Sequence, residues 1–224
     1  LTIAPLDPRT LSSLVILDSQ VGDPILAEAH LQQVEEMMRL AVPGPNDEIS
    51  HPASAVAIAA RAMGWEDRAG MIEDAARTVL TSPFATPILA NLARVGLGML
   101  SVQKGDWDMA NEQYEAIESR KGTLLLIPSI VADRLLGLLA HTGGNLDKAS
   151  EHFEESLAFC RTGGYRPELA WTCCDYADTL LERNNEGDRA KAMSLLEESL
   201  AISSELGMRP LMERVLSRRE ILGA

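Results

Sequence analysis

At 224 residues and 24.3 kDa, the chain is long enough to bury a sizeable core as one large domain, two small ones or a repeat array. Its 46% hydrophobic and 24% charged residues are a globular composition, which excludes wholesale disorder. A formal net charge of −13 and a pI of about 4.7 repel phosphate backbones and anionic lipid, so neither nucleic acid nor a membrane surface is an expected partner.

Only nine residues are aromatic, while Ala, Leu and Glu abound, a balance that favours helix over sheet. Residues 1–20 lack a basic segment followed by a continuous apolar run, so no signal peptide is expected. The chain opens on Leu1 rather than Met, and a fragment of a longer protein is the expectation. Periodicity and turn residues predict helices over 8–21, 24–41, 51–63, 66–80, 86–103, 107–120, 125–142, 146–162, 166–184, 188–206 and 209–222. Loops at 42–50 and 81–86 are marked by Pro43, Gly44, Pro45, Pro83 and Pro87, and no strand pattern competes. The most apolar stretch, 123–140, is broken by Pro128, Asp133 and Arg134, which argues against a membrane span.

An internal repeat organises these elements. Gly22, Gly105, Gly144 and Gly187 are each followed at +5 by an alanine (Ala27, Ala110, Ala149, Ala192). At +9 comes a bulky residue (Leu31, Tyr114, Phe153, Leu196), and at +12 Val34, Ile117, Ser156 or Ser199. A weaker copy at Gly64 puts Glu73 at the bulky position, and its register is expected to slip so that Ile72 takes the core place. Successive glycines lie 42, 41, 39 and 43 residues apart. Such spacings mark one helix face, on which a small residue admits the neighbouring helix and a bulky one fills the groove beside it. Each glycine ends one helix, and Asp23, Asp106, Asn145 and Asp188 are placed to cap the next.

Leu97, Gly98, Gly105, Trp107, Ala110 and Tyr114, then Leu136, Gly137, Gly144, Ala149 and Phe153, carry a pattern that resembles the tetratricopeptide repeat. The period is longer than the family's, and Asp133 stands where its early Trp belongs. The resemblance implies an all-α superhelix of about five helix pairs plus a C-terminal capping helix, as one domain over 1–224. Divergent repeats fill 1–82, clearer ones 86–206, and the last helix 209–222. From Tyr165 to Met208 the chain is also similar to helical-repeat regions of bacterial multidomain signalling proteins, which combine such repeats with ATPase, cyclase or LuxR-type DNA-binding domains.

In tetratricopeptide arrays the first helix of each pair lines an inner groove. Carried over, those positions are Leu92, Val95, Met99 and Val102, then Val131, Arg134, Leu138 and His141, then Trp171, Cys174, Asp178 and Leu181. The resemblance thus implies an apolar partner-binding groove in which Arg134, His141 and Asp178 set orientation. The same spacing also fits helices that close over these residues and bury them.

Motifs for chemistry are missing: there is no H-E-x-x-H, G-x-S-x-G or P-loop. Gly96-Leu97-Gly98 reads as two glycines on a helix face. A His141–His152 metal pair is less favoured than solvated or capping histidines, and Glu154-Glu155 and Glu197-Glu198 read as a solvated face. Cys160, Cys173 and Cys174 form neither a disulfide framework nor a zinc site, are staggered, and read as small buried hydrophobes in a reducing, cytoplasmic compartment. The expectation is a non-catalytic scaffold or sensor without cofactor, metal or catalytic residue, binding a protein or peptide segment. Sensing of a small molecule and homodimerisation remain open.

Overall fold

The computed structural model describes residues 7–125 and 130–223. It is all-α in class. Among the described residues eleven α-helices run α1 Pro8–Val21, α2 Pro24–Leu40, α3 Asp47–Met63, α4 Ala69–Leu80, α5 Pro87–Lys104, α6 Trp107–Ile117, α7 Ala132–Thr142, α8 Leu146–Gly163, α9 Arg166–Arg183, α10 Asp188–Leu206 and α11 Arg209–Gly223. The chain divides into two compact units, Leu1–Leu100 and Ser101–Ala224, with the boundary inside α5.

Local signals explain the starts and stops. The carboxylates of Asp23 and Asp106 and the amide oxygen of Asn145 accept from the backbone N–H three residues on, at 3.0–3.1 Å. Gly105 and Gly144, with φ of 64° and 79°, turn the chain between helices where a Cβ would be strained. At the last repeat the arrangement differs from the expectation. Asn184, at φ 52°, ends α9 in place of a glycine. Asp188 is then the first residue of α10, not its cap, and its carboxylate accepts from the Asn185 N–H and from Arg183.

Other boundaries shift for identifiable reasons. The third helix begins at Asp47, not 51, because Asn46 caps it and Asp47 and Glu48 suit its first turn. The next begins at Ala69, not 66. The helix from Trp107 ends at Ile117 and tightens to a 3-10 turn over Glu118–Arg120. The largest correction lies at 125–142, expected as one helix. Strand β1 (Leu124–Leu125) pairs antiparallel with β2 (Ile130–Val131), Leu124 opposite Val131, and α7 starts only at Ala132. The intervening 126–129 lie outside the described residues.

In the first unit α1 packs on α2 and α3, and α3 on α4. Leu31, Val34, Val56, Ile72 and Val79 fill the core, so the register slip to Ile72 is realised, with Glu73 turned outward to Arg77. Gly96 on α5 lies so close to α3 that a Cβ there would sit 2.5 Å from the carbonyl oxygen of Ala53. In the second unit α7 to α11 pack in succession, each on the next. Ala149 and Phe153 are fully buried, Gly137 rests on the Phe153 ring, and that ring stacks on Tyr176 at 5.4 Å. Among the described residues no helix is long and apolar enough to cross a membrane.

Candidate functional site

The inner-face positions do not form an open apolar lining. Leu92, Val95 and Met99 on α5 are buried, and Val102 is half-buried. In the second unit Val131 belongs to β2 rather than a helix, and Val131, Leu138, Trp171 and Cys174 are all interior. His141, Asp178 and Leu181 are half-buried. The apolar members are core, because other elements of the chain cover the face that their spacing defines.

What lies among them in the second unit is ionic. Arg134 donates from Nε to Asp175 Oδ2 at 2.9 Å and from Nη1 to Glu168 Oε2 at 3.0 Å. The N–H of Val131 donates to the other Glu168 oxygen at 2.9 Å, tying the strand pair to the start of α9. Arg134 also lies over the Trp171 ring at 5.4 Å. From α11, Arg214 reaches Asp175 at 3.7 Å and Asp178 at 3.3 Å, while Arg218 donates to Asp178 at 3.0 and 3.2 Å. Burial pushes the Glu168 carboxyl up, and Arg134 and the Val131 N–H pull it back. These groups bind one another, so the cluster braces α7, α9 and α11 rather than presenting a reactive group.

The two histidines have separate partners. His141 Nδ1 meets Thr179 Oγ1 at 2.8 Å, and its Nε2 lies 3.1 Å from Glu182. His152 is buried rather than solvated: Nδ1 is 2.9 Å from Asp133 and Nε2 is 2.7 Å from the Tyr114 hydroxyl. Asp133 accepts from the Gly122 N–H as well, which anchors the turn before β1. Burial raises the Tyr114 phenol pKa, making it a poor acid. The glutamate pairs are partly engaged: Glu154 accepts from the Tyr176 hydroxyl and from Lys191, and Glu198 pairs with Arg161.

All three cysteines are free and buried. Burial pushes the Cys160 thiol up to about 11 and Cys174 to about 12, and it raises Cys173 as well. Among the described residues no group of three His, Cys, Asp or Glu side chains could hold a metal ion.

An open site does exist where the inner-face reasoning did not look. A groove of about 560 Å³ runs along α2 in the first unit. Its apolar lining comes from Leu11 on α1, from Ala29, Met37 and Leu40 along α2, and from Ala41 just beyond it. Gln32, Gln33, Glu36 and Glu48 supply amides and carboxylates at its rim. Leu40 is 68% exposed and Val42 beyond it 78%. The sequence carried one trace of this, the apolar Leu40-Ala41-Val42 run that ends a helix whose own core stripe is already complete. The second unit has a polar hollow of about 440 Å³ between Gly143–Asp147 and Arg183–Asn185, in which Arg183 donates to Asp147 at 3.2 Å.

Comparison with protein-family models, with curated proteins and with solved structures finds no match to this chain.

Proposed function

We propose that this chain is a non-catalytic, tetratricopeptide-like scaffold or sensor module that binds an apolar or amphipathic segment of another protein. We further propose that it serves a larger cytoplasmic bacterial regulator. The observation that carries the reading is the groove along α2: an apolar floor with exposed Leu40 at its lip and hydrogen-bonding groups at its rim. Its make-up suits the helix-in-groove mode, in which anchors at i, i+4 and i+7 fill an apolar trough. The net charge of −13 favours an approaching segment with Lys or Arg on its polar face. Ion pairs and hydrogen bonds one repeat apart supply a stiff frame for such a groove, and recognition on a rigid frame loses less entropy.

The test is fluorescence anisotropy with basic amphipathic helical peptides and their scrambled counterparts, against the parent chain and Leu40→Asp. Leu40 is exposed, so the substitution spares the core. Saturable binding of the amphipathic set, weakened tenfold or more by Leu40→Asp, supports the proposal. Equal binding of scrambled peptides, or none, refutes it. A panel of small apolar ligands that instead raises the melting temperature would favour the sensing of a metabolite, for which the groove's volume is also adequate.

A further inference from the structure

The described residues of the first unit include buried polar atoms with no hydrogen-bond partner, among them Ser12 Oγ on α1 and Ser50 Oγ and His51 Nδ1 on α3. Ser12 is 1% exposed, Ser50 0% and His51 3%. Such groups lose their hydration on folding, and native interiors give nearly all of them a partner.

All three sit within about the first turn and a half of their helices. α1 packs on α3, and Arg9 near the start of one donates to Asp47 at the start of the other at 2.8 Å. The two helices therefore set out side by side from a shared end. Ser12 follows Arg9 by three residues, and Ser50 and His51 follow Asp47 by three and four. Each interval is one helical turn, which keeps the three groups on the faces joined by the Arg9–Asp47 bridge. Pro52 adds to this turn, because it has no N–H to return to the Glu48 carbonyl.

The chemistry of the three atoms defines what fits. His51 Nε2 is 3.5 Å from Asp47 Oδ1, and a carboxylate only accepts, so Nε2 carries the proton and Nδ1 offers a lone pair. The two hydroxyls can each donate and accept. The occupant must donate to a ring nitrogen and exchange hydrogen bonds with hydroxyls, which excludes a simple anion. A metal cation would find one nitrogen and no carboxylate among the three. Charge is balanced nearby, since Arg9 and Asp47 neutralise each other and Asp7 caps α1.

We propose that Ser12, Ser50 and His51 form a binding site for one buried water molecule between α1 and α3. Water supplies two donors and two acceptors, and buried water is characteristically held by about three such groups.

The experiment pairs a high-resolution crystal structure of the parent chain with thermal denaturation of Ser12→Ala, Ser50→Ala and the double variant. The site predicts one ordered water within hydrogen-bond distance of at least two of the three atoms. Each single variant then melts ~2–4 °C lower, the shift of a lost hydrogen bond in a chain of this size. The double variant loses less than the two singles together, because the first change already loosens the water. Alanine is the better helix former, so a lower midpoint reads the site and not the helix. A raised midpoint in either single variant overturns the proposal, since removing an unpartnered hydroxyl relieves a buried penalty. Direct bonds from the hydroxyls to protein atoms in the crystal also overturn it. Should a variant fail to fold, the parent crystal decides alone.

Discussion

Arg134 and Asp175 stand 41 residues apart in sequence and meet at 2.9 Å with neither side chain significantly exposed. That separation is one repeat, and it recurs. Tyr114 and His152 are 38 apart, Arg166 and Glu205 are 39, and Asp178 and Arg218 are 40. In the first unit Arg9 and Asp47 are 38 apart, and Glu28 and Arg68 are 40. Within each unit, polar side chains thus link positions about one repeat apart, joining neighbouring helix pairs through charge as well as core.

Burial decides which of these links matter for stability. Asp175→Asn leaves Arg134 with Glu168 as its remaining buried carboxylate partner; breaking a buried pair costs about 3–5 kcal/mol, and the retained Glu168 pair holds the loss to the lower end of that range. Glu205→Ala removes an exposed bidentate partner of Arg166 and is expected to leave the unfolding midpoint unchanged. Urea denaturation of both variants checks this contrast. Equal midpoints would contradict it.

Two helix glycines are expected to resist alanine unequally. At Gly137 a Cβ would meet three Phe153 ring atoms at 3.0 Å, and the ring can tilt. At Gly96 it would meet the Ala53 carbonyl oxygen at 2.5 Å and its carbon at 2.9 Å, and backbone cannot rotate away. Overpacking costs about 1–3 kcal/mol, against about 1 kcal/mol gained in helix propensity. Gly96→Ala therefore loses the more, by about 2 kcal/mol net, while Gly137→Ala comes out close to the parent. Melting curves order the two.

The thiols should be silent in the native state. Cys160, Cys173 and Cys174 are buried, and burial raises all three pKa values, which suppresses thiolate at neutral pH. Titration with a chromogenic disulfide reagent is expected to report no rapid thiol, and all three once denaturant unfolds the chain. A fast-reacting thiol in the folded protein would contradict the placement.

His51 gives stability a pH dependence of known sign. Burial lowers its pKa below the ordinary 6.5, while Asp47 and Asp7 raise it and Arg9 lowers it further. The unfolded chain then binds the proton more readily than the folded one. Stability is complete above pH ~6.5 and is lost as the pH falls from there through the lower folded value. Urea midpoints followed downward from neutral pH should decline in the parent and decline less in His51→Gln. Identical slopes would exclude the histidine as the cause.

The helices, their caps and the repeat were legible in the sequence because each rests on residues close together in the chain. Asp106 caps its helix through an N–H three residues on, and Ala149 and Phe153 share a face by helical spacing alone. The same spacing puts Arg134 and Leu138 on one side of α7. It could not say what covers that side, since exposure depends on elements distant in sequence. Here β2 and α11 close on it, Val131 holding Glu168 and Arg214 holding Asp175. Leu125, Ile130 and Val131 read as helix in the sequence for a similar reason. Their apolar character suits either state, and pairing of Leu124–Leu125 with Ile130–Val131, with Asp133 gripping Gly122, selects strand. The groove along α2 was hidden because a recess needs two helices and its floor comes from both α1 and α2. Periodicity reports the faces of single helices, and only packing determines which faces meet.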